Sequence, residues 1–257
     1  MTETDNSSVT AIYRYPVKGL GPQQLDEVAV EAGETIPFDR AWAIENGRGG
    51  FDPEKPSYLP KIHFLMLMRN ERLAALDIEF DETDSTLTLL RDGKAVVSGA
   101  LNSQTGRQLI EQFMGSFMER DLRGAPHIVH AEGHSFSDVA EKCLHIVNLA
   151  SVRELERALG KTIDPLRFRA NVYIEAHRPW IEFDWVGGRC GIGEARLQVF
   201  DRTSRCAATN VDPQTGERDM AIPAALMRTY GHEDFGVYAK VTQGGTVRTG
   251  DAVRTAS

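Results

Sequence analysis

The sequence is short of cysteine, of positive charge and of long apolar runs. Three cysteines stand among 257 residues, Cys143, Cys190 and Cys206. They form no CxxC pair and no zinc-type spacing. So sparse and odd a set argues against a disulfide scaffold and suits a reducing compartment. Lys and Arg number 29 against 37 Asp and Glu, a formal net charge of −8. That balance argues against a nucleic-acid groove, which needs a basic face. It leaves room for a basic patch inside one cleft. The densest apolar run, residues 64–68, is far too short to cross a bilayer. The start, MTETDNSSVT, is polar and acidic, without the basic and apolar regions of a secretory signal. The expectation is a cytoplasmic protein with no membrane anchor and no nucleic-acid partner. There is no internal repeat. There is also no G-x-G-x-x-G fingerprint after a strand, since the glycines from Gly187 to Gly193 open no helix and read as turns.

What is present is an ordinary globular composition, 41% apolar and 26% charged, enough for one large or two modest domains. Residues 9–15 alternate apolar and polar and read as a strand ended by Pro16 and Gly19. Residues 25–30 and 41–45 read as further strands. Residues 47–60 are a loop dense in Gly and Pro, and 61–68 read as a buried strand. Leu76, Ile78 and Phe80 alternate with acidic residues, and Asp92-Gly93 is a two-residue hairpin signal, so residues 76–98 predict a three-stranded meander. Helices are few. Residues 105–118 place Leu109, Ile110, Phe113 and Phe117 on one face. Ser151 to Glu154 reads as a capping box opening a second helix that Gly160 ends. Residues 222–230 make a third, with Pro223 in its first turn. Strands follow the pattern at 171–175, 195–200, 235–241 and 247–253. The fold class is mainly β with a minority of helices (α+β). An N-terminal β-rich domain at residues 1–100 precedes a second domain at 101–257.

The stretch that carries chemistry is FDRTSRCAATNVDPQTGERD, residues 200–219. A strand delivers one cysteine, Cys206, into a polar loop with Arg202 and Arg205 beside it. Such a placement suits a reactive or metal-binding sulfur, because the thiolate is the nucleophile and the ligand. A free cysteine is otherwise a small buried hydrophobe, and both readings stand on the local sequence. The histidines His127, His130, His134 and His145 fit no helical zinc site and read as core or surface groups. The run 131–138, AEGHSFSD, reads as a loop that can line a substrate cleft. Cys143 and Cys190 read as structural.

SRCAATNVDPQTGERD resembles the C-terminal signature of the MOSC family, named after the C-terminal domain of molybdenum cofactor sulfurase. The matching residues are Cys206, Thr209, Val211-Asp212-Pro213 and Thr215-Gly216. A second block, RFRANVYI at 167–174, agrees. A third, YPVKGL at 15–20 with FDRAWAIE at 38–45, is similar to the N-terminal β-barrel domain that precedes MOSC in the amidoxime-reducing proteins. The resemblance implies that domain at 1–100 and a MOSC barrel at 101–257. It implies molybdenum cofactor (molybdopterin with molybdenum) as the bound group and Cys206 as the catalytic residue and metal ligand; a persulfide carrier is the other role open to that sulfur. A soft thiolate suits such a metal. The resemblance makes Lys18, Arg40 and Arg169 the cations for the pterin phosphate. Asn148, Ser204, Arg205, Thr209 and Asp212 are supporting candidates. Ser151 is another, with a competing role as helix cap, and Asp212 before Pro213 has a competing role in shaping the turn. Gly19 departs from the family, in which many relatives carry a serine after the lysine. The activity implied is an oxidoreductase acting on N-hydroxylated small molecules. Its electrons come from a separate donor such as a ferredoxin or flavodoxin, because these residues hold neither an iron–sulfur spacing nor a dinucleotide motif. The alternative is a carrier of the cofactor or of sulfur, without turnover of its own.

Overall fold

The computed structural model describes residues 7–47 and 49–255. The polar start at residues 1–6, and Arg48 within the loop at 47–60, lie outside the described residues. The chain opens with β1 (Ser7–Arg14), β2 (Gln23–Leu25), β3 (Glu27–Val30) and β4 (Trp42–Asn46). The meander follows as β5 (Asp77–Asp81), β6 (Thr86–Arg91) and β7 (Lys94–Ala100), then helix α1 (Gln104–Phe117) and β8 (Pro126–His130). Next come β9 (Leu144–Asn148), α2 (Leu149–Leu159), β10 (Val172–Glu175), β11 (Arg189–Ile192) and β12 (Ala195–Ser204). The chain finishes with α3 (Ile222–Tyr230), β13 (Asp234–Gln243), β14 (Gly245–Arg248) and β15 (Ala252–Thr255).

The protein is mainly β, as the patterning predicts. Seven strands close into a barrel in the order β10-β9-β13-β12-β11-β15-β1, and β1 seals it by pairing antiparallel with β10. Inward-facing side chains alternate with outward ones along β12, so Ala195, Leu197 and Val199 join Val237, Ala239 and Val241 of β13 in one buried cluster. Two residues of β1, Val9 and Ile12, belong to that same cluster. A second core lies under the meander. Leu87 and Leu89 of β6 pack with Trp42, Ile110 and Met114, which places α1 on this second core. Glycines permit a close approach there: a Cβ on Gly106 of α1 would lie 2.2 Å from the Ala100 carbonyl oxygen. A third cluster sets α2 and α3 against the outside of the barrel, with Leu155, Leu226, Phe168 and Phe235 buried together.

Four local expectations are corrected. Residues 61–68 are buried from Phe64 to Met66, yet they form a short 3-10 turn at Lys61–His63 and a single bridge to Glu45 instead of a strand. Apolar burial alone fixed no backbone type there. The glycine-rich stretch 187–193 is not merely turns: β11 runs between Gly187 and Gly193, whose positive φ values of 86° and 55° make the bends at its ends. Helix α2 begins at Leu149, with Asn148 as its cap, accepting from the Ala150 N–H at 3.0 Å. Ser151 therefore sits inside the first turn and caps nothing. Leu109, expected on the inner face of α1, is 46% exposed.

Candidate functional site

One end of the barrel faces the N-terminal unit across a cleft. The cleft is lined by Lys18, Arg40, Lys61, Asp138, His145, Arg169, Arg205 and Cys206, with Tyr238 on its wall. The chain as a whole is acidic, yet five Lys and Arg side chains face this cleft against two carboxylates, Asp39 and Asp138. The basic patch for which the composition left room lies here, and it is built from residues far apart in sequence.

Each functional side chain has a local reason for its position. Cys206 lies two residues past β12, at the cap of the short 3-10 turn that follows the barrel strand. Thr209 holds that turn: both its backbone N–H and its hydroxyl donate to the Cys206 carbonyl, at 3.1 and 2.9 Å. The loop beyond is tied down by Arg167, which donates to Asp212 at 2.7 Å, to Asp219 at 2.9 Å and to the Asn210 carbonyl at 3.2 Å. Asp212 in turn accepts from the backbone N–H groups of Gln214 and Thr215. Burial works against its charge, but those donors and Arg167 hold its carboxyl below the usual range.

Arg40 and Arg169 both sit on left-handed backbone, each at φ 52°. That conformation is uncommon for residues other than glycine and costs energy, which is a mark of functional sites. Both guanidiniums lie over the Tyr15 ring, at 4.5 and 4.3 Å from its centroid. Arg40 grips both oxygens of Asp39 and donates to the Arg169 carbonyl at 3.0 Å, so it braces the Arg169 turn. Arg169 itself has no carboxylate partner among the described residues. Burial, with Arg40 beside it, lowers its pKa to about 10 against the opposing pull of Tyr15. Arg205 donates to the Phe168 carbonyl at 2.8 Å, while its Nε is buried with no partner in the protein. A largely enclosed guanidinium without a carboxylate partner is costly, and two such side chains in one cleft suit an anion.

The lysines are held differently. Lys18 donates to the Phe136 carbonyl at 2.8 Å and to Asp138 Oδ1 at 2.5 Å. Its pKa is lowered by burial, against the pull of Asp138. Burial resists the charge on Asp138, yet Lys18 and Lys61 hold that carboxyl far below the usual range. Lys61 reaches the second oxygen of Asp138 at 3.5 Å and the Cys206 sulfur at 3.4 Å. Burial pulls Lys61 down, but Asp138 and Cys206 outweigh it and its pKa is raised. His145 is fully enclosed, its Nε2 3.3 Å from the Phe235 carbonyl, and burial holds it neutral with a pKa well below its ordinary value.

Of the residues singled out from sequence, Lys18, Arg40, Arg169, Arg205 and Cys206 meet in this cleft. Thr209 and Asp212 shape the loop behind it. Asn148 and Ser151 do not line it: both bind the buried carboxylate of Glu182, at 3.0 and 2.7 Å, in a separate polar knot against α2. Their side-chain hydrogen bonds run to that carboxylate and not into the cleft. Ser204 is exposed on β12 and is likewise not in the cleft. Ser137 and Asp138, from the loop 131–138, do line it. Lys61, Asp138, His145 and Tyr238 were not identified as site residues in the sequence. Their only signal was the loop reading of 131–138, since the rest are brought in by tertiary packing. Cys143, read as structural, is buried in the cleft wall, its thiol pushed up to about 12 by burial. Among the described residues no His, Cys, Asp and Glu cluster has a metal-binding arrangement. The donor set fits a metal that brings most of its own ligands and an anionic tail: one soft sulfur beside unpaired guanidiniums. No helix among the described residues is long and apolar enough to cross a membrane.

The chain is similar in sequence to several known proteins. The molybdenum cofactor sulfurase of Homo sapiens is 23% identical over 90% of this chain and 29% of its own length. The mitochondrial amidoxime-reducing component 1 of Homo sapiens is 22% identical over 96% of this chain and 82% of its length. The chain thus spans under a third of that sulfurase. The YUAD protein of Bacillus subtilis, a solved structure, is 14% identical with a TM-score of 0.46, covering 99% of this chain and 98% of that one. The MOSC N-terminal beta barrel domain matches residues 6–122 and the MOSC domain residues 124–254, so the chain belongs to the MOSC domain family and carries the N-terminal domain that accompanies it.

Proposed function

We propose that the chain binds the molybdenum cofactor in this cleft and is an oxidoreductase that reduces N-hydroxylated small molecules. The observation that carries the reading is the convergence of Lys18, Arg40, Arg169 and Arg205 with the Cys206 sulfur in one cleft of an otherwise acidic protein. In the proposal, Cys206 ligates the metal as a thiolate. Arg169 and Arg205, which have no carboxylate partner among the described residues, receive the pterin phosphate. Lys18 and Arg40 are already paired with Asp138 and Asp39; they add positive potential and fix the walls. The amidoxime-reducing and sulfurase relatives support a molybdenum-cofactor role for the family, and the former supports N–O reduction. Bound here, the cofactor would supply the oxygen-atom and two-electron chemistry. For an amidoxime the balance is two electrons and two protons in, an amidine and water out. A separate redox protein, a ferredoxin or flavodoxin with its reductase, would deliver the electrons, docking near the cleft in a small, weak encounter.

The test is protein purified from a host that makes the cofactor, analysed for molybdenum and assayed with an amidoxime. Turnover is expected with a low-potential dye or a ferredoxin system and not with NADPH alone. Protein without molybdenum would overturn the cofactor reading. Bound molybdenum without turnover under any donor would replace the enzyme with a carrier of the cofactor or of sulfur on Cys206. Activity with NADPH alone would refute the separate donor.

A further inference from the structure

We infer that Lys61 positions the Cys206 sulfur and, through a hydrogen bond to it, tunes the reduction potential of the metal bound there; this rests on the reading of Cys206 as the metal ligand. Among the described residues, Lys61 is the side chain that hydrogen-bonds Cys206 Sγ, at 3.4 Å. It comes from the N-terminal unit, so the sulfur of the barrel is met by a donor from across the cleft. That donor is fixed from several sides. Asp138 Oδ2 stands 3.5 Å from the ammonium, and the other oxygen of Asp138 belongs to Lys18. Tyr58, three residues earlier, donates to the Asp138 carbonyl at 3.1 Å. The backbone is held as well. The Lys61 carbonyl accepts from the N–H of buried Phe64 at 3.1 Å, and the Ile62 carbonyl accepts from Arg123.

The Asp138 contact alone does not explain this placement. Asp138 pairs more closely with Lys18, at 2.5 Å, than with Lys61. Lys61 side-chain atoms remain 29% exposed, so the ammonium has room to turn to water, yet it lies over the sulfur. An N–H donor at a ligating thiolate withdraws charge from the sulfur and weakens its donation to the metal. The reduced, more electron-rich metal is then favoured, and the potential rises. Loss of the donor lowers it.

The experiment uses the full chain from a cofactor-making host, as wild type, Lys61→Met and Lys61→Arg. Methionine keeps an unbranched apolar stem without a donor; arginine restores N–H groups. The readouts are molybdenum content, the midpoint potential from redox-titrated electron paramagnetic resonance, and kcat and KM for an amidoxime. With the metal retained, Lys61→Met should show a lowered potential and a kcat reduced about tenfold, with KM changed less than about twofold, and Lys61→Arg should recover most of both. An unchanged potential in metal-replete Lys61→Met, or a drop that Lys61→Arg fails to restore, overturns the inference while the cofactor reading stands. Wild-type protein without molybdenum overturns both.

Discussion

Cys206 and Gly19 show how much single positions decide here. Cys143 and Cys190 are buried, with thiols pushed up to about 12 by desolvation; Cys206 is half-exposed to the cleft. Replacing Cys206 by serine removes the soft ligand and leaves the packing almost intact. Turnover should vanish while the melting transition stays in place. A serine variant that is active, or one that is inactive only because it unfolds, would end the ligand assignment. Gly19 follows Lys18 at φ +87°, and a Cβ there would lie 2.8 Å from the Leu65 carbonyl oxygen. The serine of many relatives therefore has no place on this backbone. Gly19→Ser should destabilise the fold by about 1–3 kcal/mol through strain and that close contact. Denaturant unfolding measures it, and a midpoint matching wild type would mean that the loop yields freely.

At the scale of elements, sequence showed most where local chemistry and tertiary role agree. Asp92 and Gly93, at φ 52° and 71°, make the hairpin their dipeptide announces, and β5, β6 and β7 follow. Helix α3 runs from its early proline to Gly231 in the left-handed region. β9 was invisible because every residue in it is buried, so it has no alternation to read. β11 was masked by the glycines that bound it. The site divides the same way: Cys206 and its cations stood in recognisable blocks, whereas Lys61 and Asp138 gain their roles only when the units pack. His145, on β9, carries a prediction of its own. Its folded pKa lies well below the ordinary 6.5 because of burial, with Arg205 adding to the effect. The unfolded chain therefore binds the proton more readily. The stability His145 contributes is present above pH 6.5 and is lost as pH falls below it. Glu182 acts oppositely, since burial raises its pKa and favours the acid form, but it is common to both proteins in a comparison. Between pH 6.5 and 5, His145→Gln without cofactor should lose less melting temperature than wild type does. Parallel profiles would show that His145 protonates without consequence for folding.

Across the whole molecule, the two family matches meet near residue 123, but the barrel does not respect that division. β1 pairs with β10 on one side and β15 on the other. Val9, Ile12, Val28, Val30 and Ile36 bury themselves among side chains of the second half. Fully burying such side chains contributes about 1.5–3 kcal/mol each, together roughly 7–15 kcal/mol as an upper estimate. That is comparable to the entire net stability of a domain, about 5–15 kcal/mol. A fragment of residues 124–257 would also leave β10 and β15 as open edges, which invite association. It should therefore show no cooperative melt and should aggregate, although it holds the whole MOSC match. Joining residues 7–36 to that fragment through a flexible linker returns β1 and the missing apolar side chains, and should restore a cooperative transition. Circular dichroism melts with size-exclusion chromatography separate the outcomes. A fragment of 124–257 that melts as sharply as the full chain would show that the barrel closes without β1, and that the N-terminal residues serve the cleft alone.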